Sequence, residues 1–157
     1  MANLIDEGVR KILNKISFLD IGSSSQDAIP NVAPKLLLKV DGDEIYLVDY
    51  IMGKTYDNLQ SNCRVSLSAI DVDSLLGYQI NGKAYIVDGG LDYQKLFQEY
   101  QEKQIQSSVS RIIDGVRREK LNQNIEMIFP EKVVFIKVFV EEIVEIIPSG
   151  QLKRRHK

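Results

Sequence analysis

Apolar and polar positions along the chain change period several times, and those changes mark out its elements. Ile5, Val9, Ile12, Leu13 and Ile16 recur at three- and four-residue steps and predict a short amphipathic helix within residues 4–16. Ser17–Gly22 reads as a strand, and the polar run Ser23–Asp27 turns the chain. Ile29–Val40 is a long extended segment with Pro30 and Pro34 near its start. Neither proline can donate to a central ladder, so this part belongs at a sheet edge or a bend. Asp41-Gly42 predicts a hairpin into the next strand, Glu44–Ile51. After a short helix at about residues 54–61, Arg64–Ile70 alternates strictly, as a half-buried strand does, and Asp71–Leu75 forms a loop. Gly77–Asp88 reads as a strand pair or one bent strand, with Gly82 as the bulge candidate.

The second half carries a long helical pattern from Leu91 to about Asn124. Leu96, Phe97, Tyr100, Val109, Ile112, Ile113 and Val116 share one face, and the polar middle, Gln101–Ser108, is the expected place for a break. Lys132–Ile147 is a long β-branched strand set off by Pro130 and Pro148. Six mostly antiparallel strands with a few helices predict a closed or split β-barrel rather than a sandwich.

Composition narrows the chemistry. A chain of 157 residues with 44% hydrophobic and 27% charged residues is expected to be one domain with a core of its own. The net charge of −2 offers no footprint for nucleic acid. The single cysteine, Cys63, excludes an intramolecular disulfide and suits a reducing cytoplasm, where it reads as a small packed hydrophobe rather than a redox thiol. The N-terminus lacks the pattern of a secretory signal, and no stretch approaches the roughly 20 apolar residues of a membrane span. The only histidine is His156, which rules out a Ser-His-Asp triad in the core and a structural zinc site. No metal site is expected, and any redox chemistry would fall to a borrowed cofactor. The basic set Arg111, Arg117, Arg118 and Lys120 reads as a solvated helix face, and residues 151–157 as a basic, disordered tail.

Gly53-Lys54-Thr55 lies where an extended run hands over to a short helix. Free backbone N–H groups, a lysine cation and a hydroxyl together suit a phosphate. A nucleoside-triphosphatase loop would need another glycine five residues before Gly53, where Val48 stands. The alternative for the tripeptide alone is an ordinary solvated turn.

Four segments in order then carry a resemblance: Ile29–Lys35, Val48–Leu59, Asn62–Leu67 and Gly77–Ala84. Together they resemble the FMN-binding split-barrel family, often described as pyridoxamine 5′-phosphate oxidase-like, over roughly residues 15–90. The resemblance implies a mainly β chain with flanking helices, built as a six-stranded antiparallel split β-barrel of Greek-key type. It implies one FMN-binding domain over residues 1–150, with a helical insert at about 91–124. Lys54, Thr55 and Asn58 would hold the phosphate. Asn31, Val32, Ala33 and Pro34 would run along the isoalloxazine ring, and Asp49 and Tyr50 would lie near the ribityl chain and ring edge. The implied assembly is a homodimer with FMN at the subunit interface. The implied activity passes electrons or hydride between a reductant such as NAD(P)H and a small acceptor. A carrier or sensor that holds FMN or haem on the same barrel without catalysis is the alternative. No side chain is assigned as a catalytic acid or base. Pyridoxamine phosphate oxidation itself is not expected: the chain has no tryptophan, and Lys54-Thr55 stands where that enzyme has an arginine-lysine pair.

Overall fold

A computed structural model describes residues 3–117 and 132–157. Strands β1 (Phe18–Ser24), β2 (Pro30–Asp41), β3 (Glu44–Asp49), β4 (Arg64–Asp71), β5 (Leu76–Val87), β6 (Val134–Ile146) and β7 (Leu152–His156) form one antiparallel sheet in the order β3-β2-β1-β4-β5-β6-β7. Helices α1 (Glu7–Leu13), α2 (Lys54–Leu59) and α3 (Gly90–Arg117) flank it. Pairing of β3 with β6 joins the sheet to itself and closes a six-stranded barrel from β1–β6, as the alternating pattern predicts.

Alternation decides what fills the barrel. Leu19 and Ile21 of β1, Val65 and Leu67 of β4, Ile80 and Ala84 of β5, and Ile136 and Val138 of β6 all turn inward and are buried. Helix α1 adds Val9, Ile12 and Leu13 to the same core, and Asp6 caps it by accepting a hydrogen bond from the Val9 N–H at 3.0 Å. Arg10 fixes this helix to the hairpin between β2 and β3 by donating to the carbonyls of Val40 and Gly42. Gly42 takes φ +55° in that turn, the left-handed conformation that glycine adopts without a Cβ penalty.

The prolines sit where their missing N–H groups cost nothing. β2 pairs with β1 over Pro30–Leu36 but with β3 only from Leu36 onward. The Leu37 N–H bonds to Ser17 across the β1 side, so antiparallel alternation turns residues 30, 32, 34 and 36 toward the other side. Pro30 and Pro34 therefore face the free edge that β3 leaves, and so do the N–H and C=O of Val32.

β5 is one bent strand, and its register against β6 shifts between Asn81 and Gly82. A Cβ on Gly82 would stand 2.1 Å from the Phe139 carbonyl oxygen, so only glycine allows the two backbones to approach this closely.

Three expectations are corrected. The polar middle of α3 does not break it: the helix is continuous over 28 residues, because Gln, Glu and Lys are good helix formers on a face that needs no burial. Only its first half packs. Leu96 and Tyr100 are buried with Val133 and Phe135 in a second core on the outside of the barrel, and the Tyr93 ring lies tilted 5.4 Å from that of Phe135. Val109 and Ile113, expected on the buried face, are exposed, as is Ile105. The side chains of Ile112, Val116, Arg111 and Arg117, together with residues 118–124 of the expected insert, Arg118, Lys120 and Pro130, lie outside what the structure describes.

The third correction concerns the C-terminus. Residues 152–156 are not disordered but form β7, which pairs with β6 from Glu142 to Ile146. β3 covers the same edge of β6 only as far as Phe139, so a length of edge is left for another strand. Opposite charges select the occupant: Arg154 bonds Glu142 at 3.2 Å, Arg155 pairs with Asp6 and Glu145, and Lys157 reaches Asp43 at 3.1 Å.

Replacing Gly82 by Ala should force the β5–β6 bulge to shift and cost about 1–3 kcal/mol, as overpacking elsewhere does. A lowered urea midpoint at unchanged m-value is the measurement, and Gly89→Ala serves as the comparison, since no heavy atom lies within 4 Å of a Cβ there and its φ is not left-handed.

Candidate functional site

The nine residues singled out from the sequence fall into one region, where β2 runs free of β3 and the chain leaves β3 for α2. They divide by orientation. Val32 and Pro34 point outward from β2, with Val32 69% exposed, and Tyr50 lies exposed just past the end of β3. Asn31 and Ala33 point to the opposite side of β2 and are half-buried. Thr55, Asn58 and Asp49 are buried.

A polar network ties α2 to the sheet. The Asn31 Nδ2 group donates to Thr55 Oγ1 at 3.0 Å, and Asn58 Nδ2 donates to Ser23 Oγ at 3.1 Å. Ser23 is itself buried and stands opposite Asn31 in the β1–β2 register, so two strands and the helix meet at one hydroxyl. Asn58 is thus a strut between helix and strand. Ser23 was read from the sequence only as part of a polar turn. Its signal was the alternation of β1, which carries the inward face from Leu19 and Ile21 on to position 23.

Lys54 is the exposed first residue of α2 and makes no hydrogen bond or ion pair among the described residues. α2 has only six residues and no side-chain cap at Gly53. A helix this short adds little dipole, so the attraction for an anion rests on the Lys54 ammonium and on hydroxyls such as that of Thr55.

Asp49 behaves differently from the expectation. Its Oδ1 accepts from Lys35 Nζ at 2.8 Å and from the N–H groups of Ile51 and Met52 at 3.2 and 3.1 Å. Asp49 is 1% exposed and Lys35 5%, and Oδ2 is buried with no hydrogen-bond partner. The carboxylate therefore folds the turn after β3 rather than presenting itself to a ligand. Within that turn Met52 takes φ +50°, a left-handed conformation that costs a non-glycine residue roughly 1–2 kcal/mol. Lys35 was missed in the sequence as a site residue. Its position could have been found from the inward series 31, 33, 35, 37 of β2, which puts a lysine opposite Asp49 once Leu36 pairs with Val48.

Other candidates stand apart. Cys63 is a half-buried free thiol. Met52 is half-buried in the turn itself. Burial, and to a lesser degree the charge of Tyr50, push the Tyr100 phenol of α3 up. Lys103 of the same helix donates to the carbonyls of Leu37 and Leu38 at the β2 bulge, and burial holds its ammonium below the ordinary lysine range. Among the described residues no cluster of histidine, cysteine or carboxylates could hold a metal.

The residues present fit a flavin phosphate. The free edge of β2 offers the Val32 N–H and C=O to a pyrimidine edge, exposed Val32, Pro34 and Tyr50 offer apolar surface to a flat ring, and Lys54 is an unpaired cation at the start of α2. Breaking the turn's support has a defined cost. Lys35→Met alone should destabilise the fold by about 3–5 kcal/mol, because it strands a buried carboxylate, whereas Lys35→Met with Asp49→Leu should recover most of that loss. Urea unfolding of the three proteins measures both.

Comparison with known proteins bears on the fold and the family. No curated protein matches the chain. Among solved structures, HupZ of Group A Streptococcus superposes with TM-score 0.67 at 18% identity, covering 92% of this chain and 96% of that one. A Clostridium acetobutylicum protein related to general stress protein 26 of B. subtilis, of the pyridoxinephosphate oxidase family, gives 0.69 at 13% identity over 95% and 92%. A pyridoxamine 5′-phosphate oxidase-related, FMN binding protein of Nostoc punctiforme gives 0.61 at 8% identity over 100% and 98%. At these identities the likeness is one of fold. The family profile described as pyridoxamine 5′-phosphate oxidase matches residues 5–138, most of the chain, and the protein belongs to that family.

Proposed function

We propose that this protein is an FMN-binding flavoprotein that passes electrons or hydride between a reductant such as NAD(P)H and a small acceptor. The observation that carries the reading is Lys54: an exposed cation, unpartnered among the described residues, near the stretch of β2 whose backbone edge β3 leaves free. Thr55 would add its hydroxyl to the phosphate contact, while Asn58 and Asp49 act from behind it. Asn31, Val32, Ala33 and Pro34 would line the ring, with the Val32 backbone as its hydrogen-bonding edge. Tyr50 would close over the ring's rim. Bound flavin would supply the hydride-accepting chemistry that these side chains lack. The chain's own contribution is to orient the ring, keep one face dry and fix the phosphate.

The proposal extends to a homodimer in a reducing cytoplasm. Next to Val32 the outer faces of β1, β4 and β5 form an open groove of about 460 Å³, lined by Gly22, Ser66, Ile70, Leu75, Gly77 and Ile146. A second copy seated there would cover both this apolar surface and the exposed ring site. No helix among the described residues is long and apolar enough to cross a membrane. Vitamin B6 oxidation is not part of the reading, since Arg154 and Arg155 of the C-terminal segment are committed to Glu142, Glu145 and Asp6.

Purified protein should be yellow or should bind added FMN with quenched flavin fluorescence; a chain that FMN titration leaves unchanged removes the proposal. Lys54→Ala should weaken FMN by ~1.5–3 kcal/mol, tenfold or more, and hardly alter riboflavin. Anaerobic NADH or NADPH should bleach the bound flavin. Bleaching by dithionite alone would replace the oxidoreductase with a carrier or sensor.

A further inference from the structure

We propose that Lys35 and Asp49 are positioning residues: a buried clasp that shapes the turn from β3 to α2 and so places Lys54 for the cofactor's phosphate. This rests on the FMN reading given above. A buried ion pair seldom adds net stability over well-packed apolar residues, so its location asks for a reason. The pair stands where β3 ends and the chain leaves the sheet, one position beyond Leu36–Val48, the last pair of the β2–β3 ladder.

The hydrogen bonds are lopsided in a telling way. One oxygen of Asp49 gathers three donors, two of them the consecutive N–H groups of Ile51 and Met52, while the other gathers none. A carboxylate placed only to neutralise Lys35 would have no need of those amides. Together they hold Met52 in its left-handed conformation, and Gly53 then feeds directly into Lys54. On the far side, Asn31–Thr55 and Asn58–Ser23 fix the helix to the strands. Lys54 is thus held from both sides, by the clasp before it and by the struts after it. Lys35 has a second effect: it offsets the negative charge of Asp49, which would otherwise stand in the same turn as the phosphate's anchor and oppose it.

The double variant Lys35→Met with Asp49→Leu tests this, because it keeps the pair's volume apolar. Kd values for FMN and riboflavin are compared by fluorescence quenching, and amide exchange is followed at Ile51, Met52, Lys54 and Thr55. The clasp predicts that FMN affinity falls at least tenfold while riboflavin affinity changes less than about twofold. It also predicts that the Ile51 and Met52 amides, protected in the parent, exchange rapidly in the variant. An unchanged FMN-to-riboflavin ratio, or an equal loss for both flavins, overturns the proposal. So do unprotected Ile51 and Met52 amides in the parent chain. A parent that binds neither flavin defeats the FMN reading instead, and the exchange data still decide whether the clasp shapes the turn. Lys35→Arg, which keeps the charge and a donor, should retain the FMN preference that Lys35→Met loses.

Discussion

Closure of the barrel through β6 is the constraint on which the rest depends. One strand of 13 residues serves β5 along one edge and both β3 and β7 along the other. β3 ends at Asp49, where the chain turns away to α2, so it pairs with β2 only from Leu36 to Asp41, and the first half of β2 keeps a free backbone edge. The candidate site occupies that gap. The chain builds a concave, half-apolar surface by leaving one ladder unfinished, not by adding a separate binding element.

Packing around the gap is unequal. The barrel interior is filled by aliphatic side chains from every strand and by α1, so the sheet itself is rigid ground. The α2 end is held by polar groups instead: Ser23, Asn31, Thr55, Asn58, Lys35 and Asp49. Apolar contacts tolerate small slides, whereas hydrogen bonds fix direction, and a site that must present an ammonium at a set place benefits from the latter. α3 adds a third layer through Tyr93, Leu96 and Tyr100.

Much of this was legible in the sequence. Pro30 and Pro34 announced a free edge, Asp41-Gly42 a hairpin, Gly82 a bulge, and Lys54 a cation at the mouth of a short helix. What escaped depended on register. Lys35 looks like any surface lysine until β2 is aligned with β3 and the residue falls opposite Asp49. Asp49 looked like a ligand contact for the same reason. The continuity of α3 is hidden in the sequence because a polar stretch resembles a break, although polarity alone does not end a helix. The C-terminal strand had a signal that went unused: acidic Glu141, Glu142 and Glu145 face basic Lys153–Lys157 across Pro148-Ser149-Gly150, and Gly150 adopts φ +83° in the turn.

That last strand also protects the molecule from itself. With Ile143 and Val144 beneath it, the stretch of β6 beyond Phe139 would otherwise be a bare β-branched template open to a neighbouring chain. Its cover carries lysine and arginine at successive positions, so the new margin repels a second copy of its own kind. Growth of the sheet by strand-to-strand stacking is thereby discouraged at this margin.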